Sequence, residues 1–256
     1  MSSGYLCTMS KDLFSTASED YAKYRPNYPQ ELFDYILQFV HEKTHAWDCA
    51  TGNGQAAKVL AEHFEKVEAS DISAAQLTMA DQKQNIQYHL SPAEHTPFSN
   101  DQFDLITVAQ AYHWLNWKDF YKEATKVGKE NAVVAVWTYN LFSSEDHEVN
   151  KIIHHFYKDV TGPYWDAERK YVEQGYKTVE FEFEHLPSKD FSIELHLLKE
   201  QFKGYLSTWS GVKSYIRKVG SSPIALVENH LDKIWSDTEQ KPFRFPIVLR
   251  IGRIRK

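Results

Sequence analysis

The segment AWDCATGNGQ, at residues 46–55, decides the fold. It begins as a short apolar run that ends in an acid, Asp48, and it continues with two glycines among small residues, Gly52 and Gly54. Because glycine has no Cβ, the backbone there can approach a ligand closely. The helix predicted from about residue 53 to 64 begins with free N–H groups that can bind polar atoms of that ligand. The segment therefore predicts a strand, a tight turn and a helix beside a pocket.

A second acid, Asp71, ends the next apolar run, at residues 67–71. A nucleoside ribose bound at the glycine turn would need a carboxylate for its hydroxyls at about this point. The spacing also fits the dinucleotide fingerprint, which leaves an NAD(P) site as an alternative. A carboxylate at Asp48 would repel a pyrophosphate, whereas it attracts the sulfonium and ammonium of S-adenosylmethionine. The predicted cofactor is therefore S-adenosylmethionine.

Composition bounds the class of protein. Of 256 residues, 42% are hydrophobic and 25% are charged, as in ordinary globular domains. The net charge of −6 gives no support to binding of nucleic acid or an anionic membrane. Two cysteines suit a reducing compartment, and no apolar run is long enough for a membrane span. We expect a soluble, cytoplasmic protein that binds neither nucleic acid nor membrane and is a monomer or a homodimer.

Strand and helix patterns alternate along the first half of the chain, which predicts a parallel sheet with right-handed crossovers. The predicted fold class is α/β, a three-layer Rossmann-like arrangement with a seven-stranded, mostly parallel sheet, an antiparallel last strand and a helical cap. The predicted strands are 45–50, 67–71, 86–90, 103–109, 132–137, 179–183 and 243–254. We expect a single domain over 1–256, with its sheet core at about 30–140, 176–192 and 243–256. The cap would comprise 11–29, 141–175 and 193–236, over the carboxyl edge of the sheet.

The segment HEKTH, at residues 41–45, matches the zinc-protease signature HExxH. That motif requires one continuous helix, so that both imidazoles lie on the same face. Here the helix should end near residue 43, because the first strand must be under way by Trp47. No metal site is predicted.

Several motifs occur in a characteristic order: DCATGNG at 48–54, Asp71, PAE at 92–94 and QAYHW at 110–114. With these, the chain resembles the class I S-adenosylmethionine-dependent methyltransferases. It is more narrowly similar to the small-molecule group that includes the trans-aconitate methyltransferases, through the segments 21–29, 113–114 and 205–210. One departure is Ala50, where the superfamily usually has glycine, because alanine does not easily adopt a positive φ.

The resemblance implies roles in cofactor binding. Asp48 and the glycine turn would hold the methionine end, Asp71 would bind the ribose hydroxyls, and Arg25 would pair with the cofactor's carboxylate. The residues concerned are Tyr21, Arg25, Asp48, Ala50, Gly52, Gly54, Asp71, Ile72, Gln76, Ala93, Glu94 and Gln110.

Methyl transfer from a sulfonium mainly requires alignment of the acceptor and exclusion of water. A carboxylate acceptor needs no base, whereas a hydroxyl or an amine does, and His113 is the candidate for a base or for orienting the acceptor. An aromatic acceptor pocket is predicted, although the same residues suit a core: Tyr112, Trp114, Tyr139, Trp165, Tyr205 and Trp209. The predicted function is O-methylation of a small-molecule carboxylate or hydroxyl. An NAD(P)-dependent oxidoreductase and a non-catalytic S-adenosylmethionine-binding regulator remain alternatives.

Overall fold

The computed structural model describes residues 23–256. Helix α1 (Gln30–Leu37) follows Pro29 and buries Leu32, Phe33 and Ile36 on one face. Because α1 ends at Leu37, the HEKTH segment lies in a bend and the following strand, so its histidines do not share a helix face. Within residues 23–256, no group of three or more His, Cys, Asp or Glu side chains is arranged to hold a metal ion. No helix in the same part of the chain has the length and apolar character to cross a membrane.

The first five strands are parallel and lie in the order β3-β2-β1-β4-β5, as the alternation predicts. Both faces of the sheet are covered: Ala46 packs into one hydrophobic core and its neighbour Trp47 into the other. This double covering explains why these strands are almost continuously apolar. The elements are β1 (His45–Cys49), α2 (Gln55–Leu60), β2 (Lys66–Asp71), α3 (Ala74–Thr78), β3 (Ile86–Leu90), β4 (Phe103–Ala109), α4 (Trp117–Val127) and β5 (Gly128–Tyr139).

The last strand, β9 (Gln240–Arg253), runs antiparallel to β5, as predicted, with Tyr139 opposite Ile247 and Val133 opposite Arg253. Three further strands also pair with β9: β6 (Ser143–Ser144), β7 (Glu184–His185) and β8 (Phe191–Leu198). The part of the chain that the structure describes therefore forms a nine-stranded sheet, and the prediction of seven strands was wrong.

Two predicted elements differ from the structure. The segment 179–183 is not a strand: Phe181 and Phe183 are buried, but strand pairing begins only at β7. The first residues of the segment 193–236 are not helical, because β8 continues to Leu198. Both segments alternate apolar and polar residues. β9 pairs along the whole length of β8 and does not pair with 179–183.

Helices after β6 form the cap over the carboxyl ends of β4 and β5. They are α5 (His147–His155), α6 (Arg169–Glu173), α7 (Lys199–Ser207), α8 (Ser210–Val219) and α9 (Ala225–Ile234). Phe142, which follows β5, stacks on Phe245 of β9 with ring centres 4.8 Å apart and meets Tyr205 of α7 at 5.2 Å. These aromatic contacts join the cap to the sheet.

Candidate active site

The turn between β1 and α2 is tight. Ala50, Gly52 and Gly54 have φ values of +53°, +58° and +83°, and the Thr51 N–H donates to the Ser70 carbonyl of β2 at 2.9 Å. Gly54 precedes the helix, which begins at Gln55, two residues later than predicted. A Cβ on Gly54 would lie 2.6 Å from the Tyr88 hydroxyl. The glycine is therefore required by packing.

Ala50 adopts the positive φ that alanine tolerates poorly, so the substitution Ala50→Gly should stabilise the protein. The left-handed conformation costs an L-residue about 1–2 kcal/mol, which glycine avoids. Glycine also makes the unfolded chain more flexible, which offsets roughly 0.5–1 kcal/mol of this gain. We expect the free energy of unfolding in urea to rise by about 0.5 kcal/mol. The matched control, Ala69→Gly, replaces a buried alanine in β2 and should lower the free energy of unfolding. A loss of stability in Ala50→Gly as large as that of the control would contradict this account.

Asp48 is buried beneath the turn. Its carboxylate accepts hydrogen bonds from the Thr51 hydroxyl at 2.5 Å, the Ala57 N–H at 3.0 Å and the Thr107 hydroxyl at 2.8 Å. These bonds join the turn and α2 to β4. The side chain does not line the cavity beside the turn, so the predicted role of Asp48 in holding the methionine end of the cofactor would be exerted through the turn. Burial raises the pKa of Asp48 to about 6.

The raised pKa predicts a pH-dependent difference between the wild type and Asp48→Asn. Since the native pKa exceeds the ordinary value of 3.8, the proton on Asp48 contributes stability that is fully present below pH 3.8 and is lost as the pH rises through about 6. The free energy of unfolding of the wild type should therefore fall relative to Asp48→Asn by about 1 kcal/mol between about pH 5 and 7. Urea unfolding at several pH values measures this difference, and Asp190→Asn, which changes an exposed carboxylate, is the control. A constant difference would refute the raised pKa.

A cavity of about 190 Å³, which we call the glycine-turn cavity, opens at the carboxyl ends of β1, β2 and β4. Eight of the residues predicted for cofactor binding border it: Ala50, Gly52, Asp71, Ile72, Gln76, Ala93, Glu94 and Gln110. Its other lining residues were not predicted for cofactor binding: Tyr28, Thr51, Asn53, Gln55, Ala56, Ser73, Ser91, Pro92, Ala109, Ala111, Trp114 and Leu115. Of the remaining predicted residues, Gly54 does not border the cavity and Tyr21 lies outside the described residues.

The polar and apolar groups of the glycine-turn cavity fit a nucleoside with a cationic tail. The Asp71 carboxylate accepts the N–H groups of Gly52 and Ser73, both at 2.8 Å. Ile72 is 43% exposed beside it and offers an apolar surface. The amide oxygen of Asn53 is buried without a hydrogen-bond partner among residues 23–256, so a ligand donor would satisfy it.

A second cavity, which we call the aromatic cavity, encloses about 50 Å³ next to the first. Five of the six aromatic residues predicted for an acceptor pocket border it, and so does His113. Its lining residues are Arg25, Gln110, His113, Trp114, Tyr139, Asn140, Leu141, Phe142, Trp165, Asp166, Arg169, Val172, Tyr205, Trp209 and Ser210. Gln110 and Trp114 border both cavities, which therefore share a wall.

Tyr112 is the predicted acceptor residue that the structure places elsewhere. It begins the 3₁₀ turn Tyr112–Trp114, and its hydroxyl donates to the Glu180 carbonyl at 2.8 Å. Its ring packs in the core against Phe120 and Tyr176. Neighbouring residues of the turn point in different directions, so His113 and Trp114 reach the cavity and Tyr112 does not.

His113 is neutral at physiological pH. Burial, and secondarily the charge of Arg169, lowers its pKa to about 3. Its Nδ1 lies 2.9 Å from the Tyr176 hydroxyl. A group with so low a pKa is a weak proton acceptor, so this environment favours orientation of a ligand over removal of a proton.

Arg25 borders the aromatic cavity and not the glycine-turn cavity, and its pairing with the cofactor's carboxylate stays a prediction. Its Nη1 donates to the Tyr139 hydroxyl at 2.5 Å and its Nη2 to the Thr208 carbonyl at 3.2 Å. Arg25 thereby ties the segment before α1 to the end of β5 and to the cap.

Gln110 follows β4 with a φ of +55°. Its side-chain oxygen accepts the N–H of Tyr139 at 2.9 Å and also the hydroxyl of Thr138. These bonds fix the wall between the two cavities to the end of β5. No pattern around Gln110 predicts this anchoring, because its partners, Thr138 and Tyr139, lie on another strand.

Comparison with known proteins identifies the class. A family model described as a methyltransferase domain matches residues 47–136. A Dictyostelium discoideum protein named "putative methyltransferase" is 32% identical over 235 residues, which cover 91% of this chain and 89% of that protein. The solved structure of a "putative type II methyltransferase" from Anaeromyxobacter dehalogenans superposes with a TM-score of 0.82 at 35% identity, covering 91% of this chain and 99% of the other.

The chain belongs to the class I S-adenosylmethionine-dependent methyltransferases. It is an enzyme of that class, and its cofactor is S-adenosylmethionine. The NAD(P) alternative is therefore set aside. The trans-aconitate group remains a resemblance in sequence motifs.

Proposed function

We propose that the chain transfers the methyl group of S-adenosylmethionine to an oxygen atom of a small molecule bound in the aromatic cavity. The observation that carries this proposal is the shared wall: Gln110 and Trp114 border both cavities. In-line displacement requires donor and acceptor sites to adjoin, so that the reacting atoms meet without water between them.

In this proposal the glycine-turn cavity holds the cofactor, which supplies a methyl group already activated by a sulfonium. Asp71 binds the ribose hydroxyls, Ile72 and Ala93 pack on the adenine, and the Asn53 oxygen accepts a donor from the amino-acid end. All four border the cavity. Asp48 acts from beneath, by holding the turn and by adding negative charge near a cationic ligand.

A carboxylate is the acceptor that the aromatic cavity suits best. At neutral pH a carboxylate is already ionised, so no base is needed, and the low pKa of His113 makes it a poor base. The rings of Tyr139, Trp165 and Trp209 border the cavity and exclude water from it. A hydroxyl acceptor is the second candidate, with His113 orienting the hydroxyl. A cytoplasmic location and a monomeric or homodimeric state are part of the same proposal.

The test couples binding to turnover. Titration calorimetry should show binding of S-adenosylmethionine and no binding of NADH. Mass spectrometry should then detect S-adenosylhomocysteine when the protein is incubated with S-adenosylmethionine and a panel of metabolites bearing carboxyl or hydroxyl groups. Cofactor binding without turnover on the whole panel would favour the regulator, and absence of cofactor binding would refute the proposal.

A further inference from the structure

Arg169, on α6, contributes a guanidinium to the aromatic cavity. The guanidinium lies over the ring of Trp165, 4.8 Å from its centre, and over the ring of Tyr157 at 5.3 Å. Its Nε–H donates to the Tyr157 hydroxyl at 2.9 Å. Stacking and a hydrogen bond together hold the planar group in a fixed orientation.

The Tyr157 hydroxyl lies between Arg169 and Glu173. It donates to the Glu173 carboxylate at 2.5 Å while its oxygen accepts the Nε–H of Arg169. Burial raises the pKa of Tyr157 to about 12, so the hydroxyl keeps the proton that it donates. Glu173 thus orients Arg169 through the hydroxyl and does not form an ion pair with it.

The Nη groups of Arg169 make no hydrogen bond within residues 23–256, and Arg169 forms no ion pair with any described carboxylate, Asp166 of the same cavity included. Arg25, the other arginine of the cavity, already donates to Tyr139 and to Thr208. The charge of Arg169 nevertheless acts inside the cavity, where it contributes to the lowered pKa of His113. A positive charge with unused Nη donors therefore faces a space lined by aromatic rings and by polar side chains, the Asp166 carboxylate among them.

Arg169 also borders a shallow outer depression, together with Lys158, Pro163 and Lys170. The side chain therefore stands between the aromatic cavity and the surface. The lining of the depression includes the cations Lys158, Arg169 and Lys170 and the carboxylates Asp166 and Glu173. A ligand that enters from this side passes both Arg169 and Asp166, which border the depression and the aromatic cavity.

We propose that Arg169 binds an anionic group of the acceptor through its two Nη groups and thereby selects acceptors that carry a negative charge. This inference rests on the proposed function, since it assigns the residue that recognises the acceptor in the same cavity. A guanidinium presents two parallel N–H donors to a carboxylate, which gives both strength and direction. Tyr157 and Glu173 are positioning residues that keep these donors directed at the cavity.

The test uses saturation-transfer NMR on the protein with S-adenosylhomocysteine bound. The probes are acetate, succinate and benzoate, each paired with its neutral amide. The wild type should bind at least one carboxylate roughly tenfold more tightly than its amide, and Arg169→Gln should reduce that preference to about twofold or less. Arg169→Lys keeps the charge without the paired donors, and we expect it to retain an intermediate preference. Tyr157→Phe should reduce the preference about threefold while leaving the charge in place.

The matched control is Arg217→Gln, an exposed arginine on α8 outside the aromatic cavity, which should behave as the wild type. Circular dichroism checks that each variant is folded. A wild type with no preference in any of the three pairs, or an Arg169→Gln protein that keeps the preference, would overturn the inference. Failure of the wild type to bind S-adenosylhomocysteine would instead count against the proposed function, so the two failures are distinguishable.

Discussion

Asp71→Ala should weaken binding of S-adenosylmethionine at least tenfold in titration calorimetry. Two losses combine. The cavity loses the carboxylate proposed for the ribose hydroxyls, and the N–H groups of Gly52 and Ser73 lose the acceptor that fixes the turn. A hydrogen bond to a charged group contributes about 1.5–3 kcal/mol, and about 1.4 kcal/mol corresponds to a tenfold change in affinity.

Asp71→Asn separates the two losses, because an amide oxygen can still accept one N–H while the charge is gone. We expect its affinity to lie between those of the wild type and the alanine variant. The control is Asp81→Ala, which removes an exposed carboxylate that pairs with Lys58 and does not border the glycine-turn cavity. If Asp71→Ala is folded and its isotherm matches the wild type, the ribose-binding role is wrong.

Gly52→Val should also reduce cofactor affinity at least tenfold. A β-branched residue at a φ of +58° is strongly disfavoured, and its methyl groups would extend from the wall of the glycine-turn cavity. The nearest atom to an added Cβ is the Gln76 side-chain oxygen at 3.9 Å. A clash with protein is therefore not the cause, and the loss should come from strain and from occupied cavity space.

Two further variants distinguish these causes by calorimetry and urea unfolding. Gly52→Ala introduces the strain, about 1–2 kcal/mol, with little added volume, so its affinity should fall less. Gly220→Val places the same residue at a φ of +86° at the end of α8, with nothing within 4 Å of the Cβ position. It should lower stability and leave cofactor affinity unchanged. A Gly52→Val protein with wild-type affinity would show that the turn does not contact the cofactor.

The glycine-turn cavity was largely predictable because its signals in the sequence are local. Small residues and acids stand where parallel strands end, and those ends meet at one edge of the sheet. Ala50, Gly52 and Asp71 accordingly border a single cavity. Asn53 was missed although it lies between the two glycines, since only the structure shows that its oxygen is buried without a partner among the described residues.

The direction in which each side chain of the site points could not be predicted from the sequence. Asp48 points under the turn and Tyr112 into the core, because each finds hydrogen-bond partners there. Arg169 comes from the cap, and no spacing rule connects it to the glycine turn. Its role depends on Tyr157 and Trp165, which stack on it from neighbouring turns of the chain.

The fold, like the site, was predictable where the sequence signal is local. β4 has the predicted bounds, 103–109, since a continuous apolar run is a strong local signal. Residues 193–198 of β8 lie in a segment that was predicted to be helical, although I-E-L-H alternates with the period of a strand. The segment 179–183 alternates too, and it buries Phe181 and Phe183 without a strand partner. Alternation of apolar and polar residues therefore indicates which side chains are buried. Formation of a strand also requires a neighbouring strand with a free edge.

The long strand β9 has a consequence for biosynthesis. β6, β7 and β8 find their strand partner only in β9 within residues 23–256, and β5 has β9 along one side. During synthesis the edge of β5 that pairs with β9 stays unpaired until β9 has emerged from the ribosome. Until then the nascent chain presents an open β-edge that invites aggregation or chaperone capture.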